Sequence, residues 1–244
     1  MPLHWVRHKS RQIIRFWRQK GDARILPLLS AIRVGGLLAA ALALWGFAAI
    51  ADEVLENETQ KFDRAILQAL LRLHTPWLDR LMQAITFVGE PSFLLVISLI
   101  VASWLLFRRR RSAATTLAIA CIGAIGLNFL LKNLFARARP MLWQRSVDVS
   151  FYSFPSGHAM VSLVIYGMLS YLLATRFHRY RKSIFSVTIL LIAAIGFSRL
   201  YLGVHWPTDV IAGYAAGFVW LIACIFSLEV WRQRHSVRNL SEEN

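Results

Sequence analysis

Long apolar blocks separated by short charged segments are the feature that most limits what this chain can fold into. The blocks are residues 34–51, a run that ends at residue 107, and residues 113–131, 159–175, 183–197 and 208–228. A bilayer core about 30 Å thick is crossed by roughly 20 apolar residues in a helix. Because backbone polar groups cannot be left unpaired in lipid, each block is expected to be helical. The sequence therefore predicts an all-α, polytopic membrane protein with six transmembrane helices.

The composition agrees with this class of protein. Of the 244 residues, 57% are hydrophobic and 17% are charged, whereas soluble domains carry about 25% charged residues. In a soluble chain the net charge of +15 would indicate nucleic acid as a partner. Here the basic residues lie between the apolar blocks, so membrane topology explains them. The expected partner is the lipid bilayer, with no nucleic acid. Cys121 and Cys224 lie inside apolar blocks and are expected to be buried thiols without a disulfide.

The distribution of charge between the blocks predicts the orientation of the chain. Six spans place both termini on one side of the membrane, and 19 of the 28 Lys and Arg residues then lie on that side. Basic residues accumulate in cytoplasmic segments, so both termini are predicted to be cytoplasmic. The compact chain is typical of a protein of the bacterial inner membrane. The polar stretches considered below then lie at the outer face, towards the periplasm or exterior.

Composition divides the chain into three segments. Residues 1–33 hold eight Lys or Arg and one acid, and form a basic, cytoplasmic N-terminal arm. This arm is either an interfacial helix on an anionic leaflet or a solvated tail, and the sequence leaves both interpretations open. Residues 34–230 form one six-span domain, and residues 231–244 form a cytoplasmic C-terminal tail.

The segment between the first and second spans predicts an additional helix. Residues 52–90 are rich in acids, and apolar residues within them recur at helical spacing: Phe62, Ile66, Ala69, Leu70 and Leu73. This pattern indicates an amphipathic helix that lies on the membrane interface. Ordinary packing of the same face against the helix bundle explains the pattern equally well.

The first polar stretch follows the third span and contains Lys132, Arg139 and Pro140. Lys132 and Arg139 are seven residues apart, or two helical turns, so the spacing predicts that they share a helix face. A lysine and an arginine together can hold a phosphate, since Lys gives a point charge and Arg a fork of donors. Arg137 and Arg145 are expected instead to extend towards the lipid headgroups.

The second polar stretch, Pro155-Ser156-Gly157-His158, opens the fourth span. Ser156 suits an N-cap position, and Gly157 allows the backbone to approach a ligand closely. The helix start offers free N–H groups and a positive dipole, which favour phosphate. His158 could protonate a leaving oxygen at this point. The alternative interpretation is a capping turn with an incidental histidine.

The third polar stretch runs from Ser198 to Asp209 and precedes the sixth span. Asp209 lies four residues after His205, so its carboxylate can accept from one imidazole nitrogen and leave the other free to attack. Pro207 suits the first turn of the sixth helix. Arg199 lies on the far side of a turn that Gly203 makes possible. The alternative interpretation is a helix cap beside an interfacial histidine whose hydrogen bonds are made within the protein.

Together the three stretches resemble the signatures of the membrane-bound type 2 phosphatidic acid phosphatase family, which shares its site with vanadium haloperoxidases and glucose-6-phosphatase. The family signatures are Lys, six residues, Arg-Pro; then Pro-Ser-Gly-His; then Ser-Arg, five residues, His, three residues, Asp. This sequence matches all three in order. The resemblance extends from about the second span to the sixth and leaves the basic arm outside it.

The resemblance implies a role for each motif residue. His205 is the nucleophile that forms a phosphohistidine, Asp209 orients it, and His158 is the general acid. The other motif residues hold the phosphoryl oxygens, and these are Lys132, Arg139, Ser156, Gly157 and Arg199. Phosphoryl transfer needs positioning and positive charge around the oxygens, which the three cations can supply. No cofactor and no metal site is expected.

The function implied by the resemblance is that of an integral membrane phosphatase acting on a lipid. It would remove the terminal phosphate of phosphatidylglycerol phosphate, phosphatidate or undecaprenyl diphosphate at the outer face. Two alternatives remain: a transporter or binding protein for lipid phosphate, and a vanadate-dependent haloperoxidase. Apolar blocks nearly free of charge argue against a transport pathway, and six spans argue against a haloperoxidase, whose relatives are implied to be soluble.

Overall fold

The structure is a computed structural model that describes the backbone of residues 25–141 and 152–242, and the side chains of residues 34–141 and 152–232. The chain divides into two compact units, residues 1–41 and residues 42–244. In the first unit, residues 25–41 are helical. The second unit contains every contact discussed below. Residues 1–24 of the predicted basic arm, and Arg145, lie outside the described residues.

The described residues form eight α-helices and one short 3₁₀-helix, and no strand. The helices are α1 (Ile25–Leu55), α2 (Gln60–Leu71), α3 (Pro76–Val88), α4 (Pro91–Phe107), α5 (Arg111–Phe135), α6 (Gly157–Arg176), α7 (Arg181–Tyr201) and α8 (Pro207–Glu242), with the 3₁₀-helix His178–Tyr180 before α7. Five helical segments are long and apolar enough to cross a membrane, and α3 with α4 make a sixth that is bent by 45°. This confirms the predicted all-α, six-span fold.

The predicted helix between the first two spans is present as α2. Its buried residues are Asp63 and Leu67, whereas Phe62 is 55% exposed. Of the apolar residues that the sequence singles out, Phe62, Ala69 and Leu73 are exposed and Ile66 and Leu70 are half-buried. This face therefore lies largely on the outside of the bundle, where it can contact lipid. The packed face instead contains a buried carboxylate, which becomes important in the site. The sequence did not predict that α3 is a separate helix; it begins after the N-cap Thr75, whose side chain accepts from the Leu78 amide.

Close packing of α6 against α8 forms the centre of the bundle. A Cβ atom added at Gly213 would lie 2.7 Å from the Ser156 carbonyl oxygen, and one added at Gly217 would lie 2.8 Å from the Met160 carbonyl oxygen. Small residues spaced four apart let two membrane helices approach at backbone distance. This contact holds the first turn of α6, which carries His158, close to the first turns of α8.

Several boundaries differ from the sequence prediction. The fifth span extends beyond the predicted end at residue 197, through Tyr201 at the end of α7. The sixth continues as helix to Glu242, well beyond the predicted end at residue 228 and through most of the predicted tail. Cys121 and Cys224 are free and buried, as expected.

Candidate active site

The three polar stretches meet where α5 ends and where α6 and α8 begin. Lys132 lies in the last turn of α5, which ends at Phe135, and Ala136 follows in the left-handed conformation with φ 43°. Arg139 therefore lies in the following loop. The predicted shared helix face of Lys132 and Arg139 is wrong, because the chain leaves the helix between them.

Hydrogen bonds join the loop after α5 to the loop before α6. The Ser153 hydroxyl donates to the carbonyl oxygens of Arg137 at 3.2 Å and Ala138 at 3.1 Å. The ammonium of Lys132 donates to the carbonyl of Tyr152. These contacts bring the first motif against the second; residues 142–151, which connect them, lie outside the described residues.

At the start of α6 the backbone packs closely against Asn128, and the hydroxyl of Ser156 makes no hydrogen bond. Ser156 is the N-cap residue, as predicted, but its side chain makes no capping hydrogen bond. Its Oγ is buried without a partner, while its amide donates to the carbonyl oxygen of Asp209 at 2.9 Å. A Cβ atom at Gly157 would lie 2.8 Å from Oδ1 of Asn128. Only glycine fits there without movement of Asn128, so the close backbone approach expected at this position is present.

Arg199 reaches the site from the last turn of α7 and is only 2% exposed. Its Nη1 donates to Oγ1 of Thr86 on α3 at 2.6 Å, and its Nε is buried with no partner. The chain then turns at Gly203, where φ is 65°, a conformation that favours glycine. This turn carries the backbone from Arg199 back to His205.

The contacts of His205 define one tautomer of its imidazole. Nδ1 lies 3.3 Å from Oδ2 of Asp209, and Nε2 lies 3.3 Å from Nη1 of Arg139. A carboxylate accepts and a guanidinium donates, so Nδ1 carries the hydrogen and Nε2 presents its lone pair. This is the arrangement that a nucleophilic histidine requires.

Burial keeps this imidazole neutral. His205 is 2% exposed, and desolvation, followed by the charges of Arg139, Lys132, Arg199 and His158, holds its pKa well below the ordinary value. These four charged residues come from all three polar stretches, so all three stretches surround the imidazole of His205. Desolvation and like charge both disfavour the imidazolium, so both effects leave the lone pair available.

Arg137 is the largest departure from the sequence analysis. It was expected to extend towards headgroups, but its side chain is only 12% exposed. Nη1 donates to Oδ1 of Asp209 at 2.7 Å and Nη2 to Oδ2 of Asp63 at 2.8 Å. Both carboxylates have 0% side-chain exposure. Thr59 and Thr208 complete the network, each accepting from Arg137 at 2.8 Å. Arg137 therefore joins α2 to the carboxylate that contacts Nδ1 of His205.

His158 also contacts a residue that the sequence did not single out. Its Nε2 lies 2.9 Å from Oε2 of Glu90, an ion-pair distance, although the approach lies outside hydrogen-bond geometry. Glu90, Thr86, Arg137 and Asp63 were all missed as parts of the site. Arg137 could have been recognised as a charge within the first motif, and Asp63 as a charge among apolar residues on a helix. Nothing in the local sequence marks Glu90 or Thr86.

Among the residues that the structure describes, no group of three or more His, Cys, Asp or Glu side chains could hold a metal ion. The charge available to a bound anion comes instead from Lys132, Arg139 and Arg199. Such a set can bind the spread negative charge of a phosphoryl group.

Comparisons with known proteins agree with the motifs. The profile of the PAP2 superfamily matches residues 112–233. Phosphatidylglycerophosphatase B of Bacillus subtilis is 31% identical over 176 residues, which cover 71% of this chain and 86% of that protein. The undecaprenyl-diphosphatase of Sulfolobus acidocaldarius is 35% identical over 126 residues, which cover 48% of this chain and 56% of that protein.

The fold has a similar solved counterpart, a crystal structure described as a transmembrane PAP2 type phosphatidylglycerolphosphate phosphatase from Bacillus subtilis. The TM-score is 0.72 at 29% identity, covering 80% of this chain and 96% of that chain. Fold and site together define an integral membrane enzyme of the phosphatase class. The chain belongs to the PAP2 superfamily.

Proposed function

We propose that this protein hydrolyses the terminal phosphate of a membrane lipid phosphate or diphosphate through a phosphohistidine at His205. One observation carries the proposal. Buried polar atoms without a partner, Ser156 Oγ and Arg199 Nε, accompany the buried imidazole of His205, whose Nε2 carries no hydrogen and faces Nη1 of Arg139. Buried polar groups are rarely left unpaired, so a bound phosphoryl group would complete their hydrogen bonds.

The proposed reaction has two in-line steps. In the first, Nε2 of His205 attacks phosphorus, the bond to the leaving oxygen breaks, and His158 gives that oxygen a proton. In the second, a water oxygen attacks phosphorus, the P–N bond breaks, and His158 takes the proton of the water. Asp209 accepts from Nδ1 throughout and stabilises the positive charge that develops on the ring. Each histidine ends in its starting state.

The phosphoryl oxygens are proposed to lie among Lys132, Arg139 and Arg199. In the structure Arg139 Nη1 donates to the Val204 carbonyl oxygen at 2.7 Å, and Arg199 is anchored by Thr86. These anchors fix both guanidiniums before substrate arrives, so little reorganisation is needed in the transition state. The Ser156 hydroxyl and the amides at the start of α6, beginning at Gly157, add donors for the same oxygens.

The site lies at the ends of spans, where lipid headgroups are found, and this position favours a lipid substrate. By their names, the two relatives described above act on phosphatidylglycerophosphate and on undecaprenyl diphosphate. We propose these two and phosphatidate as the candidate substrates. The charge distribution of the loops supports cytoplasmic termini and a site that faces the periplasm or exterior.

Phosphate release by the purified protein tests this proposal. The three candidate lipids are supplied side by side in detergent, with EDTA present throughout. We expect release from at least one lipid, undiminished by EDTA, because the three cations do the work that a metal ion does elsewhere. The ranking of rates identifies the preferred headgroup. Folded protein that binds these lipids but releases nothing would point to a binding or transport role, and EDTA-sensitive release would contradict the cation arrangement.

The lowered pKa of His205 predicts the acid side of the pH profile. Attack requires neutral His205, and protonation sets in only as pH falls through its pKa in the free enzyme. Since that pKa lies well below its ordinary value, kcat/KM is expected to stay level as pH falls through about 6.5, the value for free histidine. The measurement is kcat/KM from pH 4.5 to 8, corrected for titration of the substrate phosphate followed by ³¹P NMR. An enzyme-derived acid limb at pH 6.5 or above would contradict the assignment.

A further inference from the structure

Glu90 is a carboxylate at the edge of the site with no structural task in its own helix. It lies at the bend between α3 and α4 and occupies the N-cap position of α4, where its side chain makes no capping hydrogen bond. Its side chain is 46% exposed, yet Oε2 lies 2.9 Å from Nε2 of His158. The contact therefore serves something other than the stability of α4.

The surroundings of His158 explain why a carboxylate matters there. His158 is 8% exposed, and the charged or titratable groups that act on it are Glu90, Arg199 and Arg139, with His205 across the site. Burial and two guanidiniums disfavour an imidazolium. The proposed general acid must nevertheless hold a proton. Glu90 is the negative charge, among these groups, that stabilises the protonated form.

We propose that Glu90 is a positioning residue that favours the protonated form of His158 and holds its ring for proton donation to the leaving oxygen. The inference rests on the proposed function. Nε2 faces the Glu90 carboxylate, so the proton that is donated leaves from Nδ1. When the bond from phosphorus to the leaving oxygen breaks, this proton passes to that oxygen and His158 becomes neutral. The water of the second step returns a proton to Nδ1. Glu90 stays ionised and transfers no proton.

This role predicts an effect that depends on the leaving group. A lipid alcohol is a poor leaving group and needs the proton from His158, whereas p-nitrophenol departs readily without one. General acid catalysis contributes about 10²–10⁴-fold to rate. Glu90→Gln is expected to reduce kcat for the lipid phosphate about tenfold or more and to change kcat for p-nitrophenyl phosphate less than about threefold. Glu90→Asp, which keeps the charge, is expected to recover part of the loss.

The pH profile provides a second readout that a merely structural role would not move. Without the carboxylate, the imidazolium gives up its proton at lower pH, so the basic limb of kcat/KM for the lipid is expected to shift to lower pH. Glu58→Gln is the matched control, since Glu58 is an exposed acid in the loop between α1 and α2. It removes the same charge at a distance from His158 and is expected to leave both readouts unchanged.

Each outcome of the experiment supports or overturns the inference. Selective loss with the lipid and a shifted basic limb support it. Equal loss on both substrates would show that Glu90 supports the site as a whole and not protonation of the leaving oxygen, and would overturn the inference. An unchanged enzyme would show that the contact is idle, and a lower KM with unchanged kcat would show that Glu90 only occupies the phosphate position when substrate is absent. Failure of the proposed function is distinguished from these results, because the wild-type enzyme itself would then release no phosphate.

Discussion

Replacement of His205 by alanine is expected to abolish phosphate release, with a fall in kcat of at least about 10³-fold. Nε2 of this imidazole carries no hydrogen and is the proposed attacking atom, and among the described residues no other histidine contacts Asp209. Alanine leaves room in the site but no nucleophile. The protein is expected to insert and fold normally, because the Asp209 carboxylate keeps its bonds to Arg137 and to the Trp206 amide.

The measurement combines steady-state release with trapping of the intermediate. Rapid quenching of wild-type enzyme with ³²P-labelled substrate is expected to give an alkali-stable, acid-labile phosphoprotein, and His205→Ala none. His178→Ala is the matched control and is expected to retain full activity, since His178 is an exposed histidine on the 3₁₀-helix. Substantial release by folded His205→Ala protein would rule out the covalent mechanism.

Replacement of Arg137 by alanine is expected to cause the largest loss of stability. Removing one partner of a buried ion pair typically costs about 3–5 kcal/mol, because the other charge is left uncompensated. Here two carboxylates, Asp63 and Asp209, would lose their shared partner while both have 0% side-chain exposure. Activity is expected to fall as well, because Asp209 would no longer be held against His205.

Thermal unfolding in detergent checks this prediction. Arg64→Ala is the control, since Arg64 is an exposed arginine of α2, and it is expected to unfold within a few degrees of wild type. Adding Asp63→Asn to Arg137→Ala is expected to restore part of the lost stability, because one of the two buried charges is then removed. Equal unfolding temperatures for the Arg137 and Arg64 variants would mean that the network contributes nothing.

The proximity of several candidate site residues could be predicted from the sequence because these residues are close in the chain. His205 and Asp209 are four residues apart at the start of a helix, and Ser156, Gly157 and His158 are consecutive. Spacing alone brings each of these groups together. The six spans were equally accessible, because hydropathy is a property of continuous segments.

The contacts between elements could not be predicted in the same way. Arg137 lies between two other cations in the sequence, and nothing in its spacing distinguishes a headgroup contact from a buried pair. Its partner Asp63 is separated from it by 74 positions in the chain, on a helix whose apolar pattern suggested a different buried face. Glu90 reaches His158 only because the second span bends at that point. Such contacts depend on how the helices pack, and the spacing of residues along the chain does not predict that packing.

The contact of Gly213 and Gly217 with the first turns of α6 has a consequence for how the substrate specificity of such an enzyme can change. His158 lies in the first turn of α6 and His205 lies two residues before α8 begins, so this backbone contact sets the spacing of the two histidine backbones. We expect a bulkier or differently shaped lipid to leave that spacing unchanged. We therefore expect preference for one lipid over another to depend on the outward-facing residues that would contact the tail and headgroup of the lipid. Substitutions there leave His158 and His205 in place.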